Sequence, residues 1–312
     1  MKIFLIKVIL VSVFTFLLIL LLQIVLFLRT NKKLRTGHDN LDITTDVNSE
    51  LVLMGSSRCR SHFDPVFFEN EFNLKSINIG VDGHSELSMI YVRLMDYLKN
   101  NSPPKYAILS IDPFTSAGDI SKKSANTVNK DAFARYAYAP LNDDWETINY
   151  LGFNTWEKYV PLYAIFKYKQ LSNSLYQKNS EQYLKYGYDR HDNYWNILKN
   201  PVNNEMQNNY QISRQSSKVK KALSQLNDLC SAKGIKLICI QTPVYKSIFD
   251  RNSFNIAKTI CADLDITYID ANYNSIRIEI KNFYNSNHLN LNGVTEMNNK
   301  LKGEQKLIKV LR

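Results

Sequence analysis

The sequence predicts an α/β domain built on a parallel sheet, joined to one membrane-spanning helix. Three observations predict this architecture: an uninterrupted apolar run at the N-terminus, short buried-strand patterns that alternate with amphipathic helix patterns, and short connections between them. The chain has 312 residues, of which 45% are hydrophobic, so it can form one large domain beyond the apolar run.

The N-terminal run from Val8 to Leu28 contains no charge, proline or glycine. Its 21 residues would extend about 30 Å as a helix, which matches the hydrocarbon core of a bilayer. A cleaved signal peptide has a shorter apolar core and a small-residue cleavage site, whereas this run ends in a basic segment from Arg29. We therefore expect a transmembrane anchor over residues 1–28 and a polar stem over 29–47. Basic residues flank the run on both sides, so charge alone leaves the orientation open.

Strand and helix patterns alternate after the stem, and residues 48–312 are predicted to form one domain. Short apolar runs predict buried strands at 51–54, 76–79, 105–111, 235–240 and 266–269. Helical spacing of apolar residues predicts helices at 65–72, 87–98, 219–229 and 254–264. Asp64 followed by Pro65 is typical of a helix start, and Ser85 is the expected cap of the second helix.

The stretch from about 115 to 212 breaks this alternation and is rich in Tyr, Asn and Trp. We expect it to be an insertion that packs over the strand ends, with a helix near 160–168. Two interpretations stay open: additional scaffold, or a lid or acceptor-binding surface, because long insertions in compact domains are often functional.

The net charge of +10 is spread over the anchor flank, one helix and the C-terminus, and no nucleic-acid motif accompanies it. The charge therefore favours a membrane-proximal protein near anionic head groups or polymers, and we expect no nucleic-acid partner. The four cysteines form no CxxC pair, and no His, Asp or Glu spacing indicates a metal site. We expect neither a metal nor a cofactor.

Three short motifs carry candidate chemistry. Ser57 follows the first strand after a glycine turn, so its hydroxyl is expected at the carboxyl edge of the sheet, where open α/β sheets bind ligands. Gly83 follows the second strand, and its N–H is a candidate oxyanion donor. His288 lies near the C-terminus as a candidate base, and Asn285 three residues earlier is a candidate orienter of its ring.

The order of these motifs resembles the SGNH/GDSL hydrolase superfamily. The similarity is strongest to its membrane-anchored branch, which includes the teichoic-acid D-alanine transfer protein and polysaccharide O-acylation proteins. The resemblance implies a flavodoxin-like three-layer sandwich, with Ser57 as nucleophile, Gly83 and the Ser57 N–H in the oxyanion hole, and His288 as base. It also implies an extracytoplasmic domain that acts on acyl esters of a surface glycan or polymer, together with a membrane-bound acyltransferase as partner.

Asn285 stands where the family has an aspartate, so this sequence departs from the family pattern at the orienter. An amide oxygen can orient the imidazole but lacks the charge that stabilises imidazolium. Three alternatives follow: Asn285 suffices for a slow enzyme or a Ser–His dyad, Asp270 after the fifth strand substitutes for it, or the site is degenerate. In the last case the chain is a binding or assembly component of a surface-polymer modification complex.

Overall fold

The computed structural model describes residues 1–36, 45–83, 85–118, 153–174, 185–202 and 204–312. The chain divides into two compact units. The first contains Met1–Leu41 and Ser121–Glu181, and the second contains Asp42–Ile120 and Gln182–Arg312.

The described residues form α-helices and strands with the following bounds. The helices are α1 Lys2–Thr36, α2 Ser57–His62, α3 Pro65–Phe72, α4 Leu87–Asn100, α5 Thr155–Tyr159, α6 Pro161–Lys167, α7 Lys169–Ser174, α8 Ser216–Ala232, α9 Arg251–Asp263, α10 Asn274–Arg277, α11 Leu291–Leu301 and α12 Gln305–Leu311. The strands are β1 Leu51–Met54, β2 Ser76–Asn78, β3 Tyr106–Ser110, β4 Lys236–Gln241, β5 Thr267–Asp270, β6 Phe283–Asn285 and β7 His288–Leu289.

The second unit is built on a five-stranded parallel sheet in the order β2-β1-β3-β4-β5. The central strands are aligned so that Leu53 lies opposite Ile108, which in turn lies opposite Ile238. Because all five strands run in the same direction, the loops that follow them meet at one edge of the sheet. The predicted α/β class with a parallel sheet is confirmed.

Alternate side chains of the strands enter two separate cores, one on each face of the sheet. Val52 and Met54 pack in a core with residues of α4, α8 and α9. Leu51 and Leu53 point to the opposite face and pack with residues of α3, α11 and α12. The sheet is therefore covered by helices on both faces, which gives a three-layer arrangement and explains why β1 reads as a continuous apolar run.

In the first unit, α1 is long and apolar enough to cross a membrane: Lys2–Arg29 has a mean hydropathy of 3.0. The helix continues beyond Leu28 as far as Thr36, so the first part of the predicted polar stem is helical. Residues 37–44 of that stem lie outside the described residues. Helices α6 and α7, from the predicted insertion, pack against α1 within this unit.

The insertion is divided between the two units. Residues 153–174 belong to the first unit, whereas residues 185–212 belong to the second. In the second unit, the N–H of Asp189 donates to the Arg60 carbonyl and the N–H of Trp195 donates to the Phe283 carbonyl. The C-terminal part of the insertion is thus joined to the α/β unit by backbone hydrogen bonds. Residues 119–152, 175–184 and 203 of the insertion lie outside the described residues.

The predicted cap of α4 was wrong. Glu86 occupies the N-cap position and makes no capping hydrogen bond through its side chain. The Ser85 hydroxyl instead donates to the carbonyl of Phe114, 2.9 Å away, in the loop after β3. The cap predicted for α3 is confirmed, because the Asp64 carboxylate accepts the N–H of Val66 and Pro65 is the first helical residue.

Candidate active site

Ser57 lies at the carboxyl edge of the sheet, in the turn between β1 and α2. Gly55 turns the chain with φ of 151°, and a Cβ there would lie only 2.8 Å from the Cβ of Cys59. Ser56 is the N-cap of α2, and its hydroxyl accepts the N–H of Arg58. Ser57 is the first residue of the helix, so its N–H has no partner within the helix. The turn therefore places the Ser57 hydroxyl and a backbone N–H without a helical partner at the same point of the sheet edge.

His288 is held on a short antiparallel hairpin formed by β6 and β7. The side-chain oxygen of Asn285 accepts the backbone N–H of Asn287 at 3.1 Å and of His288 at 2.9 Å, which closes the turn. Asn290 fixes the other side of the hairpin, since it caps α11 and donates to the Phe283 carbonyl. The Asn-rich segment around His288 is therefore an ordered turn rather than a surface loop.

The structure brings Ser57, His288 and Asn285 together in a chain of hydrogen bonds. Ser57 Oγ lies 2.9 Å from His288 Nε2, and His288 Nδ1 lies 3.1 Å from Asn285 Oδ1. The Asn285 oxygen is identified by its two backbone N–H donors, because only an oxygen can accept them. His288 Nδ1 must then carry the proton, which leaves Nε2 free to accept the Ser57 hydroxyl proton.

The surroundings keep His288 neutral. Burial, together with the positive charge of Arg58 and the neighbouring His191, lowers its pKa from the ordinary 6.5 to about 3. A neutral imidazole can act as a general base. However, the same surroundings disfavour the imidazolium that forms when the base accepts a proton, and Asn285 brings no negative charge to compensate.

Arg58, directly after the candidate nucleophile, ties the loops of the site to one another. It is 1% exposed, and its Nε lies 3.2 Å from the carboxylate of Asp112 after β3. Its terminal nitrogens donate to the Thr242 carbonyl after β4 at 2.7 Å and to the Asn287 carbonyl at 2.5 Å. One buried guanidinium thus joins α2 to the ends of two strands and to the turn that carries His288. Sequence reasoning missed this role; the available signals were an arginine directly after the candidate serine and an aspartate, Asp112, after the third strand.

His62, which sequence reasoning did not single out, supports the hairpin that carries His288. It is fully buried, and its Nε2 accepts the N–H of Leu289 at 2.9 Å. Its Nδ1 therefore carries the proton and donates to Thr242 Oγ1, 2.8 Å away. Burial holds the pKa of His62 well below its ordinary value. Together with Arg58, it fixes the backbone on both sides of His288.

Aromatic rings cover the outer side of the candidate base. The Tyr284 ring stacks on the His288 ring with centroids 5.3 Å apart. The Tyr284 ring also contacts the His191 ring, with centroids 3.9 Å apart. His191 Nε2 lies 3.2 Å from the Ser61 hydroxyl. The site thus contains a second serine–histidine contact, but Ser61 is buried and so not open to a substrate.

The remaining predicted site residues are placed differently. Gly83 lies in the loop after β2 with φ of 76°, and nothing lies within 4 Å of a Cβ added there. Its role as an oxyanion donor stays a prediction. Asp270 is exposed at the end of β5, where it accepts the N–H of Asn272. Both ring nitrogens of His288 already face Ser57 and Asn285, so the structure does not bring Asp270 to the histidine as an alternative acid. His84 lies outside the described residues.

Within the part of the chain that the structure describes, no group of three His, Cys, Asp or Glu side chains is arranged to hold a metal ion. No protein-family profile matches the sequence, and no curated protein matches it. The geometry of the site is therefore the basis for any functional conclusion.

Proposed function

We propose that this chain is a membrane-anchored serine esterase or O-acyltransferase of the SGNH type, acting on acyl esters of a cell-surface glycan or polymer. The observation that carries the proposal is the hydrogen-bond chain from Ser57 Oγ to His288 Nε2 and from His288 Nδ1 to Asn285. Nucleophile, base and orienter are the three roles that acyl transfer by a serine requires.

In the proposed reaction, Ser57 Oγ attacks the acyl carbonyl while His288 Nε2 takes its proton. The oxyanion is stabilised by the Ser57 N–H at the start of α2 and by the Gly83 N–H. His288 returns the proton to the leaving alcohol, and an acyl-serine remains. A second hydroxyl, from water or from a glycan, then attacks this ester, with His288 acting first as base and then as acid.

We further propose that α1 anchors the chain in the cell membrane as a single span, with the α/β unit outside the cytoplasm. The length and hydropathy of Lys2–Arg29 support the anchor. The extracytoplasmic side follows from the resemblance to the surface-polymer branch, as does a membrane-bound acyltransferase as a partner.

A second candidate function is a non-catalytic binding or assembly component of a surface-polymer modification complex. Asn285 is the observation that favours it, because burial and the Arg58 charge disfavour a protonated His288 and the uncharged amide does not compensate for them. In this alternative Ser57 and His288 would remain as a hydrogen-bonded pair without turnover.

Hydrolysis of an aryl acetate by the purified full-length chain in detergent separates the two functions. Ser57→Ala removes the nucleophile and His288→Ala the base, and each should lower kcat/KM about 10³-fold if the proposal holds. Ser61→Ala is the matched control, because Ser61 lies on the same helix as Ser57 but its buried hydroxyl contacts a different histidine, His191. This variant should change the rate less than about twofold. Equal rates for the wild type and Ser57→Ala would support the binding component instead.

A further inference from the structure

Four large aromatic side chains are exposed in the part of the insertion that belongs to the first unit, the aromatic segment (residues 153–174). Trp156 is 69% exposed, Tyr159 64%, Tyr163 45% and Phe166 82%. These exposed fractions matter because several large apolar side chains exposed in one short segment mark an interaction site. Other side chains of the segment, Ala164, Ile165, Tyr168 and Leu171, are buried.

The aromatic segment lies against α1 near the end of the apolar span. Helices α6 and α7 pack against α1, and the N–H of Leu162 donates to Gln23 Oε1 at 3.4 Å. Gln23, Leu26 and Phe27 are partly buried and share one helix face, whereas their neighbours are exposed. Gln23 precedes Arg29, the first charged residue after the apolar span, by six positions, which is about 9 Å along a helix. This depth matches that of helices that lie in the membrane interface, about 5–10 Å.

The charges of the aromatic segment fit an anionic lipid surface. Its basic residues are Lys158, Lys167 and Lys169, and the Lys167 ammonium lies over the Tyr163 ring. The sole acidic residue between 153 and 174 is Glu157, which is 1% exposed, caps α5 with Asn154 and pairs with Lys167. The outer surface of the segment is therefore aromatic and basic, which is the composition of helices that lie on membranes.

We propose that the aromatic segment lies in the membrane–water interface beside α1, with Trp156, Tyr159, Tyr163 and Phe166 inserted among lipid head groups. The inference rests on the proposed anchoring by α1 and adds a second membrane contact. Lys167 is paired with Glu157, so the stems of Lys158 and Lys169 are the ones that extend along the apolar surface and carry their ammonium groups to lipid phosphates. A single transmembrane helix can rotate and tilt freely. The aromatic segment beside α1 would fix the depth of α1 in the membrane and its rotation about its own axis.

Site-specific fluorophores on the full-length chain test the proposal. All four native cysteines are buried, so a cysteine introduced at an exposed position is labelled selectively. Trp156→Cys and Phe166→Cys report on the aromatic segment. Leu198→Cys is the matched control, because Leu198 is 93% exposed on the α/β unit. Each variant is labelled with a nitrobenzoxadiazole dye and reconstituted in vesicles of phosphatidylcholine and phosphatidylglycerol that carry a nitroxide near the head group.

The dye at 156 and at 166 should lose about half of its fluorescence to the nitroxide lipid, and the dye at 198 less than about a tenth. Equal quenching at all three positions would overturn the proposal. Blue-shifted but unquenched emission at 156 and 166 would also overturn it, because another protein rather than lipid would then cover the segment. Alkaline carbonate extraction of the same vesicles separates this failure from failure of the anchor: a chain that resists extraction retains α1 as anchor even when the segment is unquenched.

Discussion

Asn285 accepts three hydrogen bonds through one amide oxygen: two backbone N–H groups of the turn and the Nδ1–H of His288. An amide oxygen has two lone pairs, whereas a carboxylate offers about four acceptor positions and a full charge. Asn285 therefore orients the histidine and selects its tautomer but does little for the imidazolium. With a pKa of about 3, His288 accepts a proton at a cost of about 1.4 kcal/mol for each pH unit between that value and neutrality.

Asn285→Asp is expected to raise kcat for ester hydrolysis about 10- to 100-fold. The added charge stabilises the imidazolium while the turn keeps its acceptor oxygen. Steady-state kinetics in detergent measures the change. Asn287→Asp is the control, since it adds the same charge two residues away without facing Nδ1, and should leave kcat within about threefold. A rate for Asn285→Asp equal to or below that of the wild type would contradict the assigned role of residue 285.

The pH dependence of kcat/KM provides a separate prediction. A histidine base with an ordinary pKa loses activity below about 6.5 because it becomes protonated. Since the pKa of His288 is lowered to about 3, the wild type should keep a constant kcat/KM from about pH 8 down to about pH 5. In Asn285→Asp the decrease of kcat/KM on the acid side should shift to higher pH, because the carboxylate raises the pKa of His288. A wild-type limb centred near pH 6.5 would show that the histidine is not in these surroundings.

The residues that sequence reasoning recognised are those that lie in short motifs of fixed order: Ser57 after a glycine turn, and Asn285 three residues before His288. Arg58 and His62 were not recognised because their partners are remote in sequence. Arg58 contacts Asp112 and Thr242, and His62 contacts Thr242 and Leu289. No local periodicity encodes such contacts, since they arise only when parallel strands place their carboxyl ends side by side.

The turn between β1 and α2 is the element on which the position of Ser57 depends. At Gly55, a Cβ would meet the Cβ atoms of Cys59 and Ser110 at 2.8 and 2.9 Å, and φ is 151°. Both neighbours belong to packed elements, so they cannot move aside without displacing α2 from β3.

Gly55→Ala is therefore expected to lower the free energy of unfolding by about 2 kcal/mol or more, and to reduce ester hydrolysis at the same time. Gly234→Ala is the matched control, because φ there is 71° but nothing lies within 4 Å of the added Cβ. It should cost about 1 kcal/mol and leave kcat unchanged. Urea unfolding and kinetics measure both effects, and equal costs for the two variants would argue against the tight turn.

The elements that were predicted well are those with strong local signals. The apolar runs of β1 and β4 and the Asp64–Pro65 helix start are examples. The β6–β7 hairpin was missed because its second strand has two residues, too few for a period-2 pattern. The extension of α1 to Thr36 was also missed. The basic residues after Leu28 were interpreted as a polar stem, but basic residues are equally favourable in the last turns of a helix.

For the whole molecule, buried neutral histidines make stability depend on pH. Burial lowers the pKa of both His62 and His288 below the ordinary 6.5. The unfolded chain then binds more protons than the folded chain below about pH 6.5, so stability is full above that pH and falls as pH decreases. Asp112, whose pKa is raised by burial, acts in the opposite direction but is a single group.

With a pKa of about 3 in the folded chain, His288 should cost about 1.4 kcal/mol of stability at one pH unit below 6.5, and His62 acts in the same direction. The urea midpoint of the full-length chain in detergent should therefore fall between pH 7.5 and pH 5.5. His62→Gln is expected to be less stable at pH 7.5 but to show a smaller decrease. A midpoint that is constant or rises towards pH 5.5 would contradict the burial of these rings.

Covalent labelling tests whether Ser57 is a nucleophile that His288 activates. The folded full-length chain is treated with a fluorophosphonate, and the modified peptide is identified by mass spectrometry. We expect a single adduct on Ser57 that is lost in Ser57→Ala, strongly reduced in His288→Ala and retained in Ser61→Ala. An adduct on another serine, or equal labelling of the wild type and Ser57→Ala, would contradict it.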